Sequence, residues 1–97
     1  MEKREEPRYK IDATAEVRYR NNIIAARAVE ISAHGLRIES TSSLRPGIKV
    51  EVTLFLKKTE RFFGIIQWVL TEVGKGGLNY KMGIYCEEGG LITDNGP

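Results

Sequence analysis

Apolar residues recur at every second position over much of this chain. Between residues 11 and 19 they alternate with charged or polar residues, and the same alternation returns between residues 48 and 57. A period of two is typical of a β-strand with one buried face and one solvated face. Between residues 62 and 70 both alternating sets are largely apolar, which predicts a strand covered on both sides.

Turn-forming residues divide these runs into six predicted strands. Asn21 and Asn22 predict a tight hairpin, because asparagine tolerates a positive φ better than most residues. Further turns are indicated at Gly35, Pro46-Gly47 and residues 74–77, and we expect Gly35 to adopt the left-handed conformation. The predicted strands cover about residues 11–20, 23–31, 36–39, 48–57, 62–70 and 78–85.

The fold class follows from what these strands lack. No segment of helical length shows an apolar period of 3.6 residues. Six short strands without a helix to cover a sheet predict an all-β fold, a small six-stranded antiparallel barrel, since closure removes exposed edges. Trp68 continues an alternating apolar face, so we expect it to fill the barrel. We divide the chain into a flexible N-terminal arm (1–10), the barrel (11–88) and a disordered tail (89–97).

Composition narrows the classes of function. A length of 97 residues suits one domain, and 41% apolar with 29% charged residues is ordinary globular composition. The single cysteine, Cys86, permits no internal disulfide, and no secretory signal or spanning apolar stretch is visible, so we expect a cytoplasmic protein that does not insert into membranes. A net charge of +2 is too small to indicate a DNA or RNA partner.

Catalytic chemistry finds little support. The only histidine, His34, lies in a short turn near Ser32, and no acid is placed by sequence to orient it. One histidine and one cysteine do not supply the ligands of a usual zinc site, and no phosphate-binding loop or nucleophile motif is present. We therefore expect no enzyme, no metal site and no cofactor.

Two short segments are candidates for binding. The first contains Arg4 and Arg8 four residues apart, with Lys3 beside them and Pro7 stiffening the approach to Arg8. An arginine fork can pair with a phosphate or with the O6/N7 edge of guanine, so two of them can clamp one compact anion. A solvated tail in which acidic residues balance the basic ones is the alternative.

The second segment runs from Glu30 to Gly35 at the end of the second predicted strand. It brings together a carboxylate, the Ser32 hydroxyl and a glycine turn with exposed backbone N–H groups, and such turns can bind anions. Serine and glycine are also simply common in tight turns, which leaves a structural reading open.

Together with the strand pattern, these segments resemble the PilZ family of bacterial receptor domains for cyclic di-GMP. The family signature is R-x-x-x-R before the first strand, followed by [DN]-x-S-x-x-G, and Arg4, Arg8, Ser32 and Gly35 match it. Residues 64–69 and 82–85 are similar to later core strands, so the resemblance extends to about residue 87. Two features depart from the family: Glu30 replaces Asp or Asn, and the C-terminal helix of many members is missing.

The resemblance implies which residues would bind the ligand. Arg4 and Arg8 would hold phosphate oxygens and guanine edges, while Ser32 and the backbone near Gly35 would complete the cradle. Glu30 would accept hydrogen bonds from guanine N1–H and N2–H. Lys3 would add positive charge, and His34 would lie near the phosphates.

The resemblance also implies a function. We expect a stand-alone cyclic di-GMP receptor whose arm folds onto the turn when the ligand binds, and which signals to an unidentified protein partner in motility or biofilm control. One alternative is a degenerate PilZ-like adaptor that binds proteins and no nucleotide. Another is an oligonucleotide-binding barrel with a stacking groove that includes Tyr9, Tyr19 and Phe63.

Overall fold

The structure is a computed structural model that describes residues 7–86. Six antiparallel strands within this range form a closed ring. The strands are β1 (Tyr9–Tyr19), β2 (Asn22–Ile31), β3 (Gly35–Ser40), β4 (Lys49–Phe55), β5 (Thr59–Gly74) and β6 (Gly77–Tyr85). They pair in the order β1-β2-β3-β6-β5-β4, and β4 pairs again with β1, so the sheet closes into a barrel. The predicted all-β fold with six antiparallel strands is confirmed. Over residues 7–86 we find no helix with the length and apolar character needed to cross a membrane.

The core lies inside this ring, where the alternating apolar residues point. In β1 and β4 the apolar members of each alternation are buried, and the polar members face outward. Ser40 is a buried polar residue, and its hydroxyl donates a hydrogen bond of 2.7 Å to the carbonyl of Ala25, which offsets the loss of water. The largest fully buried side chains are Ile38, Leu54, Ile66, Met82 and Ile84.

The hairpin between β1 and β2 is confirmed, but it turns one residue earlier than predicted. Tyr19 pairs with Asn22, so the two turn residues are Arg20 and Asn21, and Arg20 has a φ of 57°. The register explains the difference, because Val17 pairs with Ile24 and both side chains face the core. Burial of this pair fixes the position of the turn, so an arginine adopts the left-handed conformation.

β5 is longer and less covered than its apolar pattern predicts. β4 pairs with only its first half, and β3 pairs with only the second half of β6, so the remaining parts of β5 and β6 form a two-stranded ribbon beyond the barrel. Phe63 on the outer face is 70% exposed, and Leu70 is also exposed. The expectation of a strand covered on both sides is therefore wrong, since nothing in residues 7–86 covers the outer face of β5.

A β-bulge in β5 changes the position of the only tryptophan. Ile66 pairs with Ile84 and Trp68 pairs with Gly83, so Gln67 has no partner in β6. The extra residue shifts the alternation by one position, so Ile66 faces the core while Trp68 lies on the outer surface, 38% exposed. The expectation that Trp68 fills the barrel is wrong for this reason.

Candidate functional site

A single row of paired residues crosses four strands on the outside of the barrel. Glu30 of β2 pairs with Arg37 of β3, Arg37 pairs with Gly83 of β6, and Gly83 pairs with Trp68 of β5. Side chains of directly opposed residues on one face of a sheet lie within contact distance. The row therefore places a carboxylate, a guanidinium and an indole side by side.

Irregularities in three strands bring this row together. The β1–β2 register shifts between Lys10 and Ala13, and the β2–β3 register shifts between Ala28 and Glu30. The third irregularity is the bulge before Trp68. After the shift in β2, Glu30 faces outward while Ile31 is buried. Bulges are frequent at barrel rims and beside binding sites, because they redirect side chains that regular alternation would place elsewhere.

Arg37 connects the other members of the row. Its Nη2 lies 3.5 Å from Oε1 of Glu30, and its guanidinium carbon lies 5.8 Å from the centre of the Trp68 ring. Both members of the ion pair are partly shielded, with side chains 40% and 25% exposed for Arg37 and Glu30. Glu30 stands where the sequence motif has Asp or Asn. It is the carboxylate of this longer side chain that contacts Arg37.

The turn between β2 and β3 forms the second wall of the site. The N–H of Ser32 donates to the carbonyl of Gly35 at 2.9 Å, and the N–H of Cys86 donates to the carbonyl of His34 at 2.7 Å. Gly35 does not have a positive φ, so the expectation of a left-handed glycine is wrong. Its lack of a side chain matters for space instead, because a Cβ there would lie 3.2 Å from Oγ of Ser32.

Row and turn enclose a cleft of about 130 Å³. Four of the residues that the sequence predicted as ligand-binding line it together: Arg8, Glu30, Ser32 and Gly35. Arg8 is distant in the sequence from the other three, and the pairing of β1 with β2 brings it to the turn that holds them. Further residues that line the cleft were not predicted as site residues: Arg37, Gln67, Trp68 and Gly83.

The remaining predicted site residues are not part of the described cleft. His34 is not among its lining residues, and its ring instead stacks on Tyr85, with ring centres 6.1 Å apart and planes 15° from parallel. Lys3 and Arg4 lie outside the described residues.

The sequence contains a signal for some of the missed residues. The turn at 32–35 pairs Ile31 with Leu36, and the same register places Arg37 opposite Glu30. Gln67 is a polar residue inside an apolar run, and this break in the pattern marks the bulge that exposes Trp68. For Gly83 we find no sequence signal, because its role depends on the indole that lies over it.

The arrangement has the chemistry of a binding site for an anion with planar aromatic groups. Arg8 and Arg37 supply positive charge, Glu30 supplies two acceptor oxygens, and Ser32 supplies a hydroxyl. The Trp68 indole adds a flat apolar surface. Within residues 7–86 no group of three or more His, Cys, Asp or Glu side chains is placed to hold a metal ion.

Comparisons with known proteins agree with this architecture. The model of a family described as the PilZ domain matches residues 2–87. The structure of the Bacillus subtilis inhibitor of motility MotI/DgrA superposes with a TM-score of 0.72 at 14% identity, covering 94% of this chain and 46% of that chain. The PilZ domain of Escherichia coli YcgR with c-di-GMP superposes with a TM-score of 0.73 at 9% identity, covering 88% of this chain and 78% of that one. Comparison with curated proteins found no match.

Proposed function

The chain belongs to the PilZ domain family of ligand-binding receptor domains, and from this membership we propose that it binds cyclic di-GMP in the cleft beside the Ser32–Gly35 turn. One observation supports this most directly. The cleft is lined at once by Arg8 of the first motif and by Glu30, Ser32 and Gly35 of the second. Arg8 is distant in the sequence from the second motif, so its position in the same cleft supports a shared ligand.

Each group in the cleft has a partner on the ligand. Cyclic di-GMP presents phosphate oxygens, which suit the guanidinium fork of Arg8 and the hydroxyl of Ser32. Its guanine bases present N1–H and N2–H donors, which suit the carboxylate of Glu30. The Trp68 indole, with Arg37 beside it, offers a flat surface on which a guanine can stack.

The size of the cleft sets how much of the ligand it holds. Its volume of about 130 Å³ is below the roughly 300 to 1,000 Å³ of pockets that enclose a drug-sized molecule. In our proposal the cleft therefore takes only part of the dinucleotide, one guanine and the phosphate beside it. From the family resemblance we assign Arg4, with Lys3 beside it in the sequence, to the rest of the ligand, and His34 of the turn to the neighbourhood of the phosphates.

The proposed role is that of a receptor without catalysis or an additional cofactor, acting in the cytoplasm through a protein partner. One structure with the same fold is an inhibitor of motility, and another is a PilZ domain with c-di-GMP. Motility is therefore the first process in which to look for an effect of this protein, and biofilm control is the second.

Calorimetric titration with cyclic di-GMP tests the proposal. We expect the wild type to bind and Arg8→Ala and Ser32→Ala to bind more weakly. For Arg8→Ala the loss is about tenfold or more, since a charge-assisted hydrogen bond contributes roughly 1.5 to 3 kcal/mol. Arg27→Ala is the matched control, because Arg27 is an exposed arginine of the same barrel that pairs with Asp12 at 3.4 Å and does not line the cleft.

Two results would contradict the proposal. Equal affinity in wild type, Arg8→Ala and Ser32→Ala would exclude this cleft as the site. The second result is a folded wild type that gives no binding heat and shows no change in tryptophan fluorescence when the nucleotide is added. This result would favour a PilZ-like adaptor that does not bind the nucleotide.

A further inference from the structure

A second, larger groove lies on the outer face of the barrel and shares no lining residue with the cleft. Its volume is about 520 Å³, within the roughly 300 to 1,000 Å³ typical of ligand pockets. It spans one end of β1 and the neighbouring parts of β4, β5 and β6. The side chains that matter most for its chemistry are Arg18, Arg20, Lys49, Glu51, Phe63 and Tyr85.

The register places these residues in two parallel rows. In the first row Arg18 of β1 pairs with Glu51 of β4, which pairs with Phe63 of β5. In the second row Lys49 of β4 and Tyr85 of β6 both pair with Ile65 of β5. The apolar side chains thus form the β5 and β6 side of the groove, and the charged groups form the β1 and β4 side.

The apolar side of the groove exposes a large aromatic residue to solvent. Phe63 is 70% exposed, and Tyr85 beside it is also exposed. A cluster of exposed aromatic side chains with a polar rim is typical of a surface that another protein covers. Aromatic residues of this kind contribute a large share of binding energy at protein interfaces.

The charges around the groove select the chemistry of the occupant. Arg18, Arg20 and Lys49 contribute positive charge, and within residues 7–86 none of them forms an ion pair with a carboxylate. Glu51 is the acidic residue among the described lining residues. An occupant with negative charges would therefore gain complementary contacts along this rim.

We propose that this groove is the docking site for an acidic segment of a partner protein, one that places a large apolar side chain against Phe63 and Tyr85. Its carboxylates would pair with Arg18, Arg20 and Lys49. The groove does not share its lining with the nucleotide cleft, so this proposal does not rest on nucleotide binding.

A protein segment fits the groove better than a nucleic acid does. Glu51 lies between Arg18 and Phe63 in the first row, so a phosphate backbone that follows the cations would pass a carboxylate. Like charges in such a position are unfavourable. A peptide can offer a backbone N–H to the same carboxylate, and this satisfies it while acidic side chains meet the cations.

Arg20 lies in the β1–β2 turn at the rim of this groove. Its φ of 57° follows from the position of the turn, and its guanidinium carbon lies over the Tyr19 ring, 5.3 Å from the ring centre. Glycine would adopt this backbone conformation without strain, so Arg20→Gly removes the cation and keeps the turn.

The groove also touches the turn of the nucleotide cleft. Tyr85 pairs with Gly35 and stacks on His34, so a movement of the turn would reach Tyr85 directly. The two sites are therefore neighbours, although they face different ligands.

A library of short random peptides, displayed on phage and selected on the full-length protein, tests the proposal. We expect the selected peptides to combine Asp or Glu with Leu, Ile or Phe. Synthetic copies should bind about tenfold or more weakly to Phe63→Ala, which removes the anchor, and about two- to fivefold more weakly to Arg20→Gly, which removes one rim charge. When these peptides are added to the wild-type protein, its amide NMR chemical shifts should change most at Phe63, Ile65 and Tyr85.

Matched controls separate docking from folding. Val73→Ala removes another highly exposed apolar side chain, and Arg45→Ala removes another exposed arginine; neither residue lines the groove. Both control variants should bind the peptides with wild-type affinity. Thermal melts should show that Arg20→Gly is at least as stable as the wild type. The proposal is overturned if the selected peptides show no acidic bias, or if they bind Phe63→Ala as well as the wild type. It is also overturned if a titration with the single-stranded DNA poly-dT changes the NMR shifts of the groove residues and no peptide does.

Discussion

The indole of Trp68 lies directly against the backbone of Gly83 on the outside of the barrel. A Cβ at position 83 would lie 2.9 Å from Cδ1 of Trp68 and closer still to Nε1 and Cε2. Gly83 is buried although its strand position faces outward, because the indole covers it. The flat wall of the cleft therefore depends on a residue without a side chain in the neighbouring strand.

Adding one methyl group at this position should displace the indole. We expect Gly83→Ala to lower the free energy of unfolding by about 1 to 3 kcal/mol, the usual effect of overpacking a closed contact. Urea unfolding followed by circular dichroism measures this change. Gly76→Ala is the control, because a Cβ at Gly76 meets no atom within 4 Å. If both substitutions have equal effects, the indole can move aside without loss and is not held by Gly83.

Trp68 also provides a direct signal for the proposed ligand. It is the only tryptophan of the chain, so intrinsic tryptophan fluorescence reports on the cleft alone. A guanine that stacks on the indole should quench this emission and protect it from acrylamide. We expect saturable quenching by cyclic di-GMP in the wild type, shifted to higher concentration in Arg8→Ala. A nucleotide that binds by calorimetry without changing the emission would place the guanine away from Trp68.

The parts of the fold that follow from alternation could be predicted from the sequence. The strands, their antiparallel pairing and the closed barrel all come from a period of two and from the need to remove exposed edges. The parts that depend on a break in this period were not predicted, although the polar Gln67 inside an apolar run is a signal for one of them. The bulge at Gln67 exposes Trp68. The pairing of Val17 with Ile24 places Arg20 in the turn with a left-handed backbone conformation, whereas residue preference favoured an asparagine there.

The candidate site shows the same division. Motif spacing predicted Arg8, Glu30, Ser32 and Gly35 as ligand-binding residues, and these four line one cleft. It did not identify Arg37, which becomes a candidate only when the turn at 32–35 is taken to set the register that places it opposite Glu30. Sequence motifs therefore locate the turn, while the register of the barrel supplies the rest of the wall.

Arg37 should influence nucleotide binding through its two neighbours. Arg37→Ala removes the contact to Glu30 at 3.5 Å and uncovers one side of Trp68. We expect cyclic di-GMP affinity to fall about three- to tenfold, because the carboxylate loses the contact that orients it and each freed rotor opposes binding by roughly 0.5 to 1.5 kcal/mol. Glu30→Asp, which retracts the carboxylate from Arg37, should change affinity in the same direction.

Lys81→Ala is the matched control for this variant. Lys81 forms a comparable exposed ion pair with Glu72 at 3.3 Å, and it does not line the cleft. Calorimetry should show unchanged affinity in Lys81→Ala. Wild-type affinity in Arg37→Ala would mean that Glu30 needs no partner to meet the ligand.

The thiol of Cys86 should be protected from reaction in the folded protein. Its side chain is 1% exposed at the end of β6, and burial raises its pKa from 9.0 to about 11. The thiolate is the nucleophile, and both its formation and its access are hindered here. We expect iodoacetamide to label Cys86 slowly at neutral pH and rapidly in urea, as followed by mass spectrometry. Equal rates would mean that the end of β6 opens readily.

The same pKa shift predicts how stability changes in alkali. Because the folded pKa is raised, both states keep the thiol protonated below about pH 9, and stability there is unaffected by this group. Above that pH the unfolded chain loses the proton first, so the folded state becomes less stable until the folded pKa of about 11 is passed. Two pKa units correspond to about 2 to 3 kcal/mol. Urea unfolding of wild type and Cys86→Ala between about pH 8 and 11 isolates this effect, since the tyrosines and lysines are common to both proteins. The difference between their free energies of unfolding should shift in favour of Cys86→Ala as the pH rises, and a constant difference would show that the thiol ionises in the folded barrel as readily as in the unfolded chain.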